Sequence, residues 1–377
     1  MSMSLTPRLD RSESNKIING NFDFWQRNTS RTIVALASTS DKLYTADRWS
    51  HTDFFASGTL TVSRSSDVPS GLSEAIYSMS TQITAAASVA HASNNYHINA
   101  GVYRMEGFDT STMHGKTVTL QFWVKSSLTG LYSISLGASY DSASAKYVST
   151  YTVNTANTWE QKSVTLTIDT SYGTFAKDAT QGLFICFGLA ANSNGTRLTS
   201  SLNQWLTSSG ASVASTANRT DFIGTINNTI KLAQVKLSIG SQVTDFSRRG
   251  ETIGDELILC QRYFEKSARL EAVPFGVNWW TEGVHVNIFV DSGGSGNFDT
   301  VPFLVRKRVQ PTLKWADPQS NTSDFVHLQT SGGGGGGTNV VAILGNARDN
   351  GFALVKTGLT ATNSGKAYFN WTADAEL

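Results

Sequence analysis

The chain has 377 residues, 16% of them charged, and a net charge of +1. That length accommodates two or three domains with their own cores. The charge balance leaves no electrostatic footprint for nucleic acid or an anionic membrane surface, and no segment reaches the roughly 20 apolar residues of a membrane span, so no membrane insertion is expected.

The opening residues 1–16 (MSMSLTPRLDRSESNK) are polar and carry no strand pattern, which predicts a docking or flexible segment. They also lack the apolar run of a signal peptide. Cys186 and Cys260 lie in the apolar contexts LFICFGL and LILCQRY, with no CxxC spacing and no neighbouring His. Both read as reduced core thiols of a protein made in a cytoplasm.

From residue 17 to 249 the pattern alternates with period two. KTVTLQFWVKS (116–126) places Val118, Leu120, Phe122 and Val124 on one face and Thr119, Gln121, Trp123 and Lys125 on the other. LYSISLGASY, WEQKSVTLTID, QGLFICFGLA and IKLAQVKLSIG repeat it, the last with one interruption between Leu232 and Val235. Strands of this length, joined by Gly, Ser and Asn turns, predict an all-β jelly-roll β-sandwich. Trp25, Trp49, Trp123 and Trp159 read as core or edge packing. Asp47 and Arg48 read as ion-pair partners for Arg27 or Asp23 that tie the first strands together.

Residues 250–269 break the pattern. In GDELILCQRYFEK the apolar positions Ile253, Leu257, Cys260 and Phe264 fall at helical spacing, with Asp255 and Glu256 in the first turn and Lys266 in the last. This predicts a short helical junction of about three turns. Its stripe needs a partner: the floor of the preceding sandwich, or two sister helices on a threefold axis, since the spacing is also that of a heptad seam.

Residues 270–377 predict a second, small β-sandwich with strands at FGVNW, VHVNIFV, FLVRKRV, VVAILG, GFALVKT and KAYFNWT. SGGGGGG (331–337) reads as an exposed loop, because no Lys-Ser/Thr follows it to cradle phosphate. The RKR of 306–308 reads as a solvated strand edge. Trp279 and Trp280 are adjacent, so on a strand only one faces the core. The other, with Tyr368 and Trp371, is a candidate for stacking on sugar rings, against the alternative of filling the sandwich or a subunit contact.

Catalytic patterns are missing from the sequence. No internal repeat, paired-carboxylate motif, G-x-S-x-G or H-E-x-x-H is present, and the six His show no ligand spacing. The expectation is a protein that is not an enzyme.

Several stretches resemble a group of tailed-bacteriophage virion proteins of tail fibres and related appendages. They are INGNFDFWQRNTS (18–30) with YTADRWS (44–50), VKLSIGSQVTDFSRRG followed by DELILCQRYFEKS, VPFLVRKRVQPT (301–312) and AYFNWTADAEL. The resemblance implies a structural protein of the virion surface, made in the host bacterial cytoplasm and assembled as a homotrimer. Its N-terminal segment would dock onto other virion proteins, and its outer end would contact a host surface polysaccharide or protein. A capsid-bound head fibre and a free lectin-like module remain open alternatives. The first domain is also similar to jelly-roll carbohydrate-binding modules at Asn19, Gly20 and Phe22, at Phe122 to Lys125, at Thr158 to Glu160 and at Val235 to Leu237. Such modules often hold a structural calcium beside the first strand, and Asp23 stands at the acidic position that the resemblance implies for it.

Overall fold

A computed structural model describes residues 14–34, 42–51, 57–86, 97–140, 144–191, 197–207, 213–216, 222–270, 272, 274–275, 284–290, 296–317, 323–330, 338–356 and 365–377. It is an all-β protein with one helix of more than one turn among the described residues, Ile253–Gln261. Two compact units divide the chain. The first comprises Met1–Asp23, Thr29–Glu256 and Leu377, and the second Phe24–Asn28 and Leu257–Glu376.

The first unit is a sandwich of two antiparallel sheets. One has six strands, β1 (Ser30–Val34), β2 (Thr59–Ser65), β3 (Ser78–Ala85), β4 (Thr117–Ser126), β5 (Glu160–Thr167) and β6 (Thr229–Ile239), in the order β1-β2-β3-β6-β4-β5. The other has seven, running from Trp205–Thr207 through Ala145–Val153, Gly130–Gly137, Gln181–Ala191, His97–Glu106 and Trp49–His51 to Leu43–Tyr44.

The alternation read from the sequence sets the core. Val118, Leu120, Phe122 and Val124 of β4 are all fully buried between the sheets. Phe122 meets two rings of the facing sheet edge-on, Tyr151 at 5.0 Å and Phe187 at 4.9 Å. The interruption in IKLAQVKLSIG is a β-bulge: the pairing of β6 with β4 slips between Ala233 and Lys236, which returns Leu237 to the core side.

The INGNF stretch closes one corner of this sandwich. Asn15 accepts from the backbone N–H groups of Ile17 (2.9 Å) and Leu237 (3.1 Å) and donates to the Val235 carbonyl. Asn19 and Phe22 take positive φ angles of 57° and 56°. Gly20 is required here, since a Cβ on it would lie 2.1 Å from the Val235 carbonyl oxygen. Trp49, fully buried, packs on Phe22 at 5.1 Å and on Tyr103 at 5.3 Å, and donates its indole N–H to the Asn19 carbonyl.

Arg48, Asp23 and Arg27 each have a partner far along the chain. Arg48 is buried and donates to the Arg104 carbonyl, Asp23 pairs with Arg248 at 2.8 Å, and Arg27 pairs with Asp374 at 2.9 Å.

The second unit is organised by its last strand, Gly365–Asp374. Its first half pairs with Val284–Val290 and Phe325–Thr330, and its second half with Phe264–Lys266 and Thr312–Ala316. Around it lies an apolar core that includes Phe303, Trp315, Val326, Phe352, Phe369 and Trp371. Phe24–Asn28 is part of this unit. Gln26 donates to the Phe264 carbonyl, and the Arg27 guanidinium sits 3.8 Å from the centroid of the Phe264 ring.

Three expectations are corrected here. The helix ends at Gln261, and Phe264 belongs to a strand that pairs with Thr372–Asp374. FLVRKRV (303–309) holds no strand; the short strand Val301–Pro302 ends just before it. Of its RKR, Arg306 is solvated but Lys307 is not: Lys307 is 1% exposed, and its ammonium is held by the Glu265 carboxylate at 2.6 Å. SGGGGGG and FGVNW lie outside the described residues except for Phe275.

Candidate functional site

The outward face of the six-stranded sheet carries the site. On β4 the residues facing away from the core are Thr119, Gln121, Trp123 and Lys125. On β5, Gln161 lies opposite Trp123 and Ser163 opposite Gln121. On β6, Lys231 lies opposite Lys125 and Ala233 opposite Trp123. Ala233 is too small to cover the indole, so Trp123 is only half-buried at an outward position.

The chain leaving β6 builds a wall over this face. Gln121 binds it through both ends of its amide, donating to the Thr244 carbonyl (2.6 Å) and accepting from the Thr244 N–H (3.0 Å). Lys236 donates to the Asp245 carbonyl from the strand below. Between wall and sheet lies an open cleft of about 240 Å³, lined by Leu72, Gln121, Trp123, Gln161, Gln234 and residues 243–246.

Gln234 is the unusual member. It sits in the β-bulge with φ at +47°, a left-handed conformation that favours glycine. It is 5% exposed, lines the cleft, and its amide has no hydrogen-bond partner among the described residues. The amide faces the open cleft and not the interior. A bulge re-aims a side chain, and here the re-aimed group is a donor and acceptor together.

Beside the cleft, Asp67 accepts from Lys231 (2.6 Å), Lys125 (2.9 Å) and the Trp159 indole N–H (3.1 Å). Burial pushes this carboxyl up, but the three hydrogen bonds outweigh it and hold the group down at about 2. It stays ionised, with its charge met by both lysines.

The residues singled out in the sequence are placed as follows. Trp279 and Trp280 lie outside the described residues. Tyr368 and Trp371 are each 4% exposed, Tyr368 against His285 and Trp371 against Phe303 and Phe352, so neither offers a face to a sugar. Of the helical stripe, Ile253 is half exposed, Leu257 is half-buried, and Cys260 and Phe264 are buried. They do not form one continuous helical face, because Phe264 has left the helix.

Asp23 does not fit a calcium ligand. Its two oxygens take Arg248 and the Asn21 amide, so a guanidinium already supplies the positive charge. Among the described residues no group of three His, Cys, Asp or Glu is arranged to hold a metal.

The sequence did contain a signal for the cleft. Trp123 stands on the polar side of a cleanly alternating strand, between Gln121 and Lys125, where an aromatic residue has no core to enter. Gln234 carried a weaker one, at the single break in the β6 alternation.

No family model matches the chain, and no curated protein matches it by sequence. Among solved structures it is similar to the enzymatically active domain of tailspike protein 4 of bacteriophage CBA120, with 12% identity, a TM-score of 0.29, and 60% of this chain and 21% of that one covered. It is similar to a CBM4 carbohydrate-binding module at 15% identity and a TM-score of 0.26, covering 59% of this chain and 98% of the module. It is also similar to the tripod from the baseplate of bacteriophage Tuc2009 at 9% identity and a TM-score of 0.24, covering 77% and 83%. At such identities and TM-scores these likenesses decide neither the fold nor the ligand.

Proposed function

We propose that the protein is a non-enzymatic, glycan-binding structural protein of a bacteriophage virion, with the cleft of the sandwich unit as its sugar site. The observation that carries the binding half is the pairing of a half-exposed indole, Trp123, with the unpartnered amide of Gln234 in one cleft. A sugar ring has an apolar C–H face for the indole and hydroxyls for the amides of Gln234 and Gln161. The virion half rests on the sequence resemblance. In that reading the chain is a homotrimeric tail fibre or spike, or a head fibre, docked through its N-terminal segment and contacting a host surface polysaccharide.

The placement of the carboxylates supports binding without cleavage. Glycoside hydrolysis needs one carboxyl that keeps its proton and a second within about 5–10 Å across the bond. Asp245 is the one acid in the cleft lining, and neighbouring Asp67 is held ionised by two lysines and an indole.

The test is a glycan array followed by calorimetry on the full chain, alongside Trp123→Ala and Gln234→Ala. The expected result is saturable binding that weakens at least tenfold in each variant while the melting temperature holds. Unchanged binding by Trp123→Ala would overturn the assignment of the cleft. Release of new reducing ends from a bound polysaccharide would overturn the non-enzymatic reading.

A further inference from the structure

Resting on that reading of the cleft, we infer that its ligand is an uncharged, linear glycan of at least two sugar units, running from Trp123 to a second stacking position at Trp159. Alternation along β5 sets the geometry. Val164 and Leu166 point inward and Gln161 points outward opposite Trp123; Trp159 immediately precedes the strand, and its bond to Asp67 holds it on the outward side. Its indole N–H donates to Asp67, which the outward-facing Lys125 and Lys231 also hold. Trp159 is half-buried, as Trp123 is.

Trp159 is tied through Asp67 to Lys125, which lies two residues from Trp123 on the same outward face. One sugar ring covers one indole face, so stacking on both indoles takes two sugar units. The hydrogen bond to Asp67 fixes the Trp159 ring in place beforehand, so little ordering is left for the moment of binding.

Charge decides the class. The cleft lining holds one ionisable group, the exposed carboxylate of Asp245, and no cation. The cations alongside are engaged: Lys125 and Lys231 on Asp67, and Lys236, 2% exposed, on the Asp245 carbonyl. A uronic-acid or sialic-acid chain would bring its carboxylates to a site with one carboxylate and no uncommitted cation in its lining. Neutral hydroxyls match the amides of Gln161 and Gln234.

Calorimetry on the full chain tests this with neutral gluco-, xylo- and manno-oligosaccharides of one to six units, and with oligogalacturonate and oligosialic acid. At least one neutral series should bind about tenfold tighter at four units than at one, and the anionic chains at least tenfold weaker. Trp159→Ala should abolish the gain with length, and Trp159→Phe, which keeps an aromatic face but not the N–H bond to Asp67, should restore part of it. Equal affinity for one and four units, or tighter binding of an anionic chain, overturns the inference. A harmless Trp159→Ala beside a damaging Trp123→Ala overturns the second position and leaves the cleft intact. A Trp159→Phe as poor as Trp159→Ala, with a lowered melting temperature, shows that the residue serves Asp67 alone and also overturns it. If no saccharide binds, the reading of the cleft falls with it.

Discussion

Trp123 in the sandwich unit and Trp371 in the C-terminal unit occupy similar places, each in a ten-residue antiparallel strand paired on both sides. Trp123 lies half-exposed beside Gln161 and Ala233. Trp371 lies 4% exposed, across from Trp315 and 5.5 Å from both Phe303 and Phe352. The strands do not decide this difference. What decides it is how closely apolar groups pack on the face concerned: over the outward side of the six-stranded sheet Leu72, Val243 and Phe246 line an open cleft, whereas the last strand is surrounded by an apolar cluster.

The largest expected effect follows directly. Trp371→Ala should destabilise its unit by about 3–5 kcal/mol, the range for removing a large aromatic from a packed core. Trp123→Ala should cost only about 1 kcal/mol, since the half-buried indole gives up part of the packing of a core residue. Urea unfolding of both variants checks the pair, and equal losses would mean that the outward face of β4 is packed after all.

Charges repeat the contrast. Lys307 and Glu265 form a pair whose side chains are 0% and 1% exposed, with Glu265 also accepting from the N–H groups of Leu304 and Val305. Burial pulls the Lys307 ammonium below its ordinary value, and Glu265 offsets this only in part. Lys307→Ala strands a buried carboxylate and should cost about 3 kcal/mol in urea unfolding, since breaking a buried pair is far worse than never having one. A loss under 1 kcal/mol would show that the Leu304 and Val305 amides suffice.

How far the sequence reached can be judged on these same residues. The alternation of β4 correctly separated Phe122 from Trp123, because period two is a property of the strand alone. It could not tell that Trp371 is buried, because that depends on Phe303 and Phe352, which arrive from far along the chain. Helical spacing placed Ile253, Leu257 and Cys260 in a helix, and Thr252 with Asp255 forms its reciprocal N-terminal cap. The same spacing misassigned Phe264, where strand pairing with Asp374 overrides the local pattern. Gln234 shows a further limit: a break in alternation announces a bulge, but not that the bulge aims its amide at a cleft.

Gln234 also separates the two units in a subtler way. Its positive φ is a strain that glycine would relieve, of the order of 1 kcal/mol. Gln234→Gly should therefore leave the sandwich as stable or about 1 kcal/mol more stable, measured by urea unfolding, while sugar binding falls. Lost stability instead would make the side chain a structural element of the bulge and not a ligand contact.

The smallest effect concerns Asp67, the exposed counterpart of the Lys307–Glu265 pair. Its folded-state carboxyl, at about 2, lies below the ordinary 3.8. Its contribution is therefore full above pH 3.8 and disappears as the pH falls toward 2. The side chain is 33% exposed, so solvent screening brings that contribution to about 1 kcal/mol. Asp67→Asn should be less stable than the parent by that amount at pH 6, and urea unfolding at pH 6, 4, 3 and 2 should show the gap closing between pH 4 and pH 2. Glu160 is also held at about 2: burial pushes it up, and its bonds from Lys162, Thr155 and Asn154 outweigh that. It titrates equally in both proteins and cancels from the difference. A gap that stays constant across this range would mean that the two lysines hold Asp67 through shape and not through its charge. The Trp159 indole would then be positioned at any pH at which the fold survives.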